Sequence, residues 1–529
     1  MSALSLLWRA PEVNPVNHKA RSIPIFNVAN KYGRVFFFSW FGFFIAFWSW
    51  YAFPPLMTVT IREQLHMTPA DVGNSNIAAL TGTLVVRLIA GPACDRWGPR
   101  WTFIGVLATG AIPTALSGLV RSVSGLIMIR FFVGILGGTF VPCQVWSTTF
   151  FDKNVVGSAN ALIGGWGNAG GGITYFLMPL IYDSLHHNMR LTASQAWRVA
   201  FVVPFILITA TSLGMLLFCE DTPTGKWSER HDSAIRLPPD HQFDVEFIQP
   251  EPLTMNIPNI PVGHINNTDG AQSKAQTLIR SRSGGDVEIV CLPSSSIPSA
   301  SKEVDMASEV MVASFKHEIV VSPTLKETCH VFFSLQTAFH ACAYLATFGG
   351  ELTINSYLAA YYLRNFPQLG QTKAGQWASM FGLLNIFARP LGGIVSDILY
   401  SRTKSLWAKK AWIVFVGAVA GVLNLGVGLT DPHEQSKMFG LVAAMAFFLE
   451  AGNGANFGLL PHVHPYANGI ISGITGAAGN LGGVVFAILF RFHGTNYQKS
   501  FWIMGIIVAS LNLVLAWVQP IPKGQIGGR

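Results

Sequence analysis

Charged residues are scarce in this sequence. Of 529 residues, 12% are charged and 50% are hydrophobic, and the mean hydropathy is +0.40. A soluble globular domain carries about 25% charged residues, so the composition excludes that class. The chain is therefore predicted to be an all-α integral membrane protein.

The sequence also lacks the cysteine spacings of a disulfide framework or a zinc site. Its six cysteines form no Cys-x-x-Cys motif and lie at positions 94, 143, 219, 291, 329 and 342. A Walker motif is also missing from the sequence, so ATP is not the expected direct energy source. We expect neither an enzyme nor a cofactor, metal site or nucleic-acid partner. Residues 1–34 lack the apolar core of a secretory signal, so the first hydrophobic helix is expected to target the membrane.

Long apolar runs are what the sequence has instead. A helix needs roughly 20 apolar residues to cross a bilayer, and six such runs precede a polar gap while six follow it. They occupy approximately residues 35–59, 73–93, 101–119, 123–148, 156–182, 196–219, 329–362, 375–399, 408–429, 437–460, 466–490 and 500–518. This order predicts 12 transmembrane helices in two six-helix bundles, 35–219 and 328–518.

The gap, residues 220–327, has the composition of a disordered loop. It holds 16 acidic and 9 basic residues and the Pro- and Ser-rich stretch "LPSSSIPSASKE". The Ser-rich stretch suggests a phosphorylation-controlled switch and hence a regulatory kinase as partner. An amphipathic stretch at 306–321 is a candidate for docking on the membrane bundle. The sequon at 266–268 is expected to be unused.

Basic residues in the short loops set the expected orientation. Lys and Arg are more frequent on the side of the N-terminus, among them Lys31, Arg34, Lys409 and Lys410. Basic loops face the cytoplasm. The terminal segments 1–34 and 519–529 and the long loop are therefore expected to be cytoplasmic.

Two of the apolar runs contain an arginine with the same following motif. The spacing Arg-x3-Gly-x3-Asp occurs from Arg87 to Asp95 and from Arg389 to Asp397, each time at the end of the second helix of its half. An internal repeat of this kind indicates duplicated, pseudo-symmetric bundles with a binding site at their interface, near the middle of the membrane.

Each of these arginines is predicted to lie deep in the membrane. Eight residues of helix separate Arg87 from Asp95, which is about 12 Å, and Arg389 stands at the same depth. A central arginine costs roughly 2.5–3.5 kcal/mol on insertion scales. Buried carboxylates offer one explanation, but apart from Asp397 at the end of its own run the spans contain only Glu351 and Glu450, on other helices. The alternative is a bound cargo, a small planar oxyanion that the guanidinium groups grip bidentately.

A second repeat is rich in glycine. Residues 158–172, "SANALIGGWGNAGGG", resemble residues 466–480, "YANGIISGITGAAGN", in the fifth helix of each half. Glycines there allow close helix packing, which explains most of them. Asn168 and Asn480 are offset by four residues, one turn on the same helix face, and are predicted to be an asymmetric pair of donors to one anion.

These motifs resemble those of a known family. Gly91 to Arg100, "GPACDRWGPR", is similar to the loop 2–3 signature of the major facilitator superfamily, and both glycine-rich helices resemble the signatures of its nitrate/nitrite porter family. The long loop resembles that of the fungal, high-affinity branch. The resemblance covers essentially the whole membrane part. It implies a plasma-membrane importer of nitrate, and of nitrite, that works by rocker-switch alternating access.

The resemblance also implies roles for further residues. Tyr344 in "YLATFGG" matches the segment that supplies a substrate-facing tyrosine, and Phe47 and Phe140 are candidates for apolar walls of the site. Arg130 in "RFFVG" matches a superfamily element in the fourth helix and is assigned a structural or coupling role. The expected latch on the cytoplasmic side consists of Asp95 with Arg96 and Arg100, and Asp397 with Arg402.

The driving force follows from electrostatics. Moving one anion into a negative-inside cell costs about 2.3 kcal/mol per 100 mV, so we expect symport with more than one proton per nitrate. Glu351 is the better-placed carrier because it lies two turns from Tyr344, about 10 Å along the helix. Glu450 is the other candidate. Nitrate/nitrite antiport and a nitrate sensor that signals through the long loop remain alternatives.

Overall fold

The computed structural model describes residues 7–15, 17–152, 155–229 and 325–522, together with two strands at 274–281 and 287–294. Twelve helical segments make up the membrane part. Six precede the long loop: α1 Lys31–Met57, α2 Pro69–Trp97, α3 Pro99–Leu119, α4 Val123–Phe150, α5 Val156–Asp183 and α6 Ala193–Phe218. Six follow it: α7 Leu335–Asn365, α8 Pro367–Thr403, α9 Leu406–Thr430, α10 Gln435–His462, α11 Asn468–His493 and α12 Tyr497–Val514.

These helices agree with the apolar runs in number, order and approximate bounds. Among the described residues, nine are long and apolar enough to span a membrane. A tenth is α7 together with the short helix Leu325–Phe332, from which it is bent by 51°. The glycine-rich α5 and the 18-residue α12 do not meet the same hydropathy criterion. For these two the spanning role stays a prediction.

Local sequence explains where several helices begin and break. Thr68 begins α2 with a capping box to Asp71, and Pro69 occupies the first turn, where its missing N–H is not needed. Gly98 joins α2 to α3 with φ +92°, a conformation that favours glycine. In α4 the backbone tightens to a 3₁₀ helix over Gly134–Thr139.

The two halves pack through equivalent helices. The contacts between halves are dominated by α2 against α11 and by α5 against α8. Helices 2 and 5 of the first half correspond to helices 8 and 11 of the second, so the two interfaces are related by the internal repeat. Each interface therefore brings one arginine-bearing helix against one glycine- and asparagine-bearing helix.

The halves meet at both ends of the bundle. On the side where α1 begins, hereafter the termini side, Ser158 Oγ donates to Asp397 Oδ2 at 2.8 Å. On the opposite, far side, the Thr60 backbone N–H donates to Gln371 Oε1 at 3.1 Å. Arg491 Nε also donates to Asn74 Oδ1 there at 2.8 Å. On the termini side the bond joins α5 to α8. On the far side one bond joins the connection between α1 and α2 to α8, and the other joins α2 to α11, so the halves contact each other at both ends of the bundle.

The long loop contains a separate unit with regular structure. Strand β1, Lys274–Ser281, pairs antiparallel with β2, Val287–Ser294. Residues such as Thr277, Ile279 and Val290 favour an extended backbone. Disorder of the loop as a whole, residues 220–327, stays a prediction. The docking stretch at 306–321, the sequon and the segment from 295 onward in the Ser-rich stretch lie outside the described residues.

Candidate functional site

Arg87 is fully buried in the middle of the bundle. Its Nε donates to the carbonyl of Gly137 at 2.8 Å, and its Nη1 donates to the carbonyl of Gly476 at 3.0 Å. The 3₁₀ segment of α4 presents the Gly137 carbonyl to this guanidinium. Nη2 has no hydrogen-bond partner.

Arg389 occupies the equivalent place in the second half and is 1% exposed. Its Nη2 donates to the hydroxyl of Tyr344 at 2.8 Å, while Nη1 has no hydrogen-bond partner. Within the described part of the chain, neither Arg87 nor Arg389 forms an ion pair. The alternative explanation considered from the sequence, in which buried carboxylates neutralise the arginines, is therefore not supported by a salt bridge among these residues.

The two arginines share one aromatic chamber. The ring of Phe140 lies 4.8 Å from Arg87 Cζ and 5.3 Å from Arg389 Cζ, and the ring of Phe348 lies 5.0 and 5.7 Å from them. Tyr344 stacks on Phe348 with ring centroids 4.7 Å apart. Two cations thus face the same rings without an ion-paired carboxylate among the described residues, and cation–π contacts offset only part of their desolvation.

The structure places Phe140 and Tyr344 in the chamber, as predicted from the sequence, but puts Phe47 one layer away. Phe47 packs on Phe43 with ring centroids 4.4 Å apart, and Phe43 in turn contacts Phe140 at 5.4 Å. Phe348 was missed, although its position four residues after Tyr344 puts both rings on one helix face.

Phe457 was also missed. It closes the chamber edge-on, with its ring centroid 4.8 Å from Phe140 and 5.1 Å from Tyr344. It lies on α10, and no motif in the sequence distinguishes it from other phenylalanines in apolar helices.

Glycine is required where each arginine meets the opposite half. A Cβ at Gly164 would stand 2.8 Å from Arg389 Nε, and one at Gly476 would stand 3.3 Å from Arg87 Cδ. The glycine-rich helices therefore do more than pack closely, because they leave the room in which both guanidinium groups lie.

The two asparagines, both predicted to donate to one anion, have different surroundings. Asn168 is 2% exposed, and neither its Nδ2 nor its Oδ1 has a hydrogen-bond partner. It lies one turn after Gly164 and hence on the helix face toward Arg389. The Nδ2 of Asn480 donates to the Gly476 carbonyl at 2.9 Å, the same carbonyl that accepts from Arg87. Asn168 is thus available to a ligand, whereas Asn480 helps to position Arg87.

The two intramembrane acids lie side by side in the second half, in very different surroundings. Glu351 accepts one hydrogen bond from Asn385 Nδ2 at 2.8 Å and another from Asn453 Nδ2 at 2.5 Å. Glu450, one turn before Asn453 on α10, is fully buried and neither of its oxygens has a hydrogen-bond partner. Asn385 lies one turn before Arg389, so the pair adjoins the chamber.

Arg130 lies outside the chamber. It is fully buried in the far-side half of α4, where Nη2 donates to Asn76 Oδ1 at 2.5 Å and Nε donates to the Ser75 carbonyl at 3.4 Å. Its guanidinium packs over the rings of Trp50 and Phe53.

The expected latch residues lie at the termini side but have other partners than predicted. Asp397 pairs with Lys409 at 2.7 Å, and Arg100 pairs with Asp221 at 2.9 Å. Arg402 is exposed, and Arg96 is also exposed, over the ring of Trp97.

Both aspartates of the repeated motif abut the first turn of a helix from the other half. A Cβ at Gly469 would lie 2.6 Å from Asp95 Cγ, and one at Gly157 would lie 3.0 Å from Asp397 Cγ. A carboxylate at a helix N-terminus is stabilised by the backbone dipoles. At these two places the halves therefore contact each other through an aspartate carboxylate of one half and a helix N-terminus of the other.

Comparison with known proteins agrees with this architecture. Residues 39–487 match the Major Facilitator Superfamily. The chain is 35% identical to Elsinochrome transporter 1 of Elsinoe fawcettii, with 99% of this chain and 100% of that protein covered. It is 32% identical to High affinity nitrate transporter 2.5 of Arabidopsis thaliana (95% and 82% covered) and 26% identical to Nitrate/nitrite transporter NrtP of Nostoc punctiforme (95% and 95%). The chain belongs to the nitrate/nitrite porter family of the major facilitator superfamily. It is thus a membrane-embedded transporter and no enzyme.

The solved structures agree on the fold. The proton:xylose symporter XylE, bound to 6-bromo-6-deoxy-D-glucose, matches with a TM-score of 0.57 at 13% identity, over 92% of this chain and 95% of that one. At this identity the likeness concerns the arrangement of helices alone. The predicted major facilitator fold is confirmed.

Replacing either chamber arginine by lysine tests the guanidinium geometry. Arg87→Lys and Arg389→Lys keep the positive charge but lose the planar fork. We expect the apparent KM for nitrate uptake to rise at least tenfold in each, while Arg121→Lys, at an exposed position before α4, serves as control. Uptake kinetics within twofold of wild type would remove that arginine from the site.

Two neighbouring positions on α5 separate binding from packing. Asn168→Ala removes polar atoms that have no partner in the protein, so we expect weaker nitrate binding and an unchanged melting temperature. Gly170→Ala would push a methyl group into the Phe44 carbonyl and lower stability by about 1–3 kcal/mol. Thermal unfolding and nitrate binding on purified protein distinguish them. If the Asn168→Ala protein has a lower melting temperature but binds nitrate with normal affinity, then Asn168 has a structural role.

Proposed function

We propose that this chain imports nitrate, and nitrite, across the plasma membrane by proton symport, with both termini in the cytoplasm. One observation carries the proposal. Arg87 and Arg389, both buried and without an ion pair in the described residues, face one aromatic chamber, and each has an Nη group with no hydrogen-bond partner.

A small planar anion suits this chamber. Each free Nη supplies N–H donors, and the Asn168 amide offers another, so the three planar oxygens of nitrate or the two of nitrite have donors on several sides. The rings of Phe140, Phe348 and Tyr344 lie only 4.7–6.1 Å apart. A chamber of this kind disfavours large or strongly hydrated anions, because their water shell cannot be replaced there.

The contacts at both ends support alternating access. Bonds across the halves at Ser158–Asp397 on the termini side, and at Thr60–Gln371 on the far side, enclose the chamber. If the halves rocked about the chamber, the bonds at one end would break while the bonds at the other end were kept. The carboxylate contacts of Asp95 and Asp397 would then hold the cytoplasmic gate closed when the outer side opens.

Elsinochrome transport is the second candidate, because the relative of that name aligns with essentially the whole chain at 35% identity. The site argues for nitrate instead. Its two buried cations and closely packed rings suit an anion of only a few atoms, and both arginines face the chamber that would hold this anion.

Uptake into proteoliposomes tests the proposal. Purified protein should accumulate labelled nitrate under an inward proton gradient, and nitrite should compete, whereas sulfate, phosphate and chloride should not. An Arg87→Gln/Arg389→Gln variant is the matched inactive control. Failure of nitrate to enter, with transport of elsinochrome instead, would replace the proposal by the second candidate.

The carboxyl pair suggests how protons are coupled. Two amide donors stabilise Glu351 as an anion, but a charged carboxylate at Glu450 would have no partner, which in a protein interior costs several kcal/mol. Glu450 should therefore be the neutral, protonated member in this conformation. We therefore propose Glu450, rather than Glu351, as the proton carrier.

Glu450→Gln imitates the protonated acid permanently. We expect this variant to exchange nitrate across the membrane but to lose proton-driven accumulation and the dependence of nitrate-evoked current on external pH. Glu434→Gln, at the exposed start of α10, is the control. An inward current with the wild-type pH dependence in Glu450→Gln would exclude this residue, and outward or absent net charge movement in the wild type would favour antiport.

A further inference from the structure

Arg130 is a third buried cation without a carboxylate partner. It is fully buried, and within the described residues it forms no ion pair. Two of its nitrogens donate to Ser75 and Asn76, but Nη1 has no hydrogen-bond partner. Rings of Trp50 and Phe53 cover one face of the group. A cation buried in this way is costly unless something neutralises it.

Several polar groups around Arg130 can donate. The hydroxyls of Tyr51 and Tyr357 lie within electrostatic range of its guanidinium. The Tyr357 hydroxyl lies against the Asn76 side chain and the Tyr51 hydroxyl against the Asn355 side chain, but neither hydroxyl, nor the Nδ2 of Asn76, is in a hydrogen bond of normal geometry. Asn76 is 1% exposed, Tyr51 1% and Tyr357 8%. Tyr175, the remaining neighbour, donates its hydroxyl to the Asn355 carbonyl. The far-side cluster, meaning Arg130, Asn76, Tyr51 and Tyr357, thus brings together a cation and three groups that can donate, from four different helical segments.

The far-side cluster is separate from the central chamber. Asn76 and Arg87 stand eleven residues apart on α2, which is about 16 Å along the helix. Between the two sites runs a column of rings, in which Phe43 contacts Phe140 and Phe47, and Phe47 contacts Tyr51 at 5.8 Å. The column blocks a direct path in this conformation.

We propose that the far-side cluster is a second binding site for a small monovalent anion. Arg130 Nη1, Asn76 Nδ2 and the two tyrosine hydroxyls would donate to it. The site lies on the far-side route to the central chamber, with Phe43 and Phe47 between the two. The assignment does not depend on nitrate being the cargo, since nitrate and chloride share the required charge and size.

Anion-dependent thermal stabilisation of the purified full-length protein tests the site. In an Arg87→Gln/Arg389→Gln background, which disables the central chamber, millimolar sodium nitrate or sodium chloride should still raise the melting temperature relative to sodium gluconate. Adding Arg130→Gln should abolish that shift. A response to nitrate alone identifies a station for the cargo, and an equal response to chloride identifies a general anion site.

Milder variants keep the test decisive if Arg130→Gln does not fold. Tyr357→Phe keeps its ring, stacked on Phe490, and loses only the hydroxyl, so we expect the anion concentration for half-maximal stabilisation to rise at least threefold. Tyr362→Phe removes a buried, unpartnered hydroxyl further along α7 and should change nothing. No residual stabilisation in the double variant, or one unaffected by Arg130→Gln and Tyr357→Phe, would overturn the proposal.

Discussion

Repulsion between two buried guanidinium groups is the constraint on which the centre of this protein depends. Arg87 and Arg389 lie against the same two phenylalanine rings, and carbonyls and one hydroxyl satisfy only part of their donors. In a medium of low dielectric constant such an arrangement is unfavourable until an anion enters. Under the proposed function, a bound anion would relieve this repulsion and favour the conformation in which both halves close on the chamber.

The internal repeat explains how a single fold presents two cations to one point. Each half contributes one arginine on its second helix, and the fifth helix of the opposite half leaves space for it through a glycine, Gly476 for Arg87 and Gly164 for Arg389. The same repeat places Asp95 and Asp397 against helix N-termini of the opposite half. The halves differ in detail, since Asn168 has no hydrogen-bond partner whereas Asn480 donates to the Gly476 carbonyl, and the acid pair belongs to the second half.

Much of this arrangement was predictable because it is local or repeated in the sequence. Hydrophobic runs gave the order and bounds of the helices, and the spacing of Arg87 and Arg389 gave their common depth. What depends on distant contacts was not predictable. The lysine that pairs with Asp397, the second-layer place of Phe47, and the closing of the chamber by Phe457 follow from packing between helices. Glu351 and Glu450 look alike in sequence, and only the amides of Asn385 and Asn453 distinguish them.

The most direct test of the central claim is a structure determined with nitrate bound. The account predicts density for one planar anion between Arg87 and Arg389, within hydrogen-bonding distance of both arginines' presently unpartnered Nη groups and of the Asn168 amide. Nitrate found elsewhere in the bundle, with both guanidinium groups still in their present contacts and the chamber empty, would contradict it.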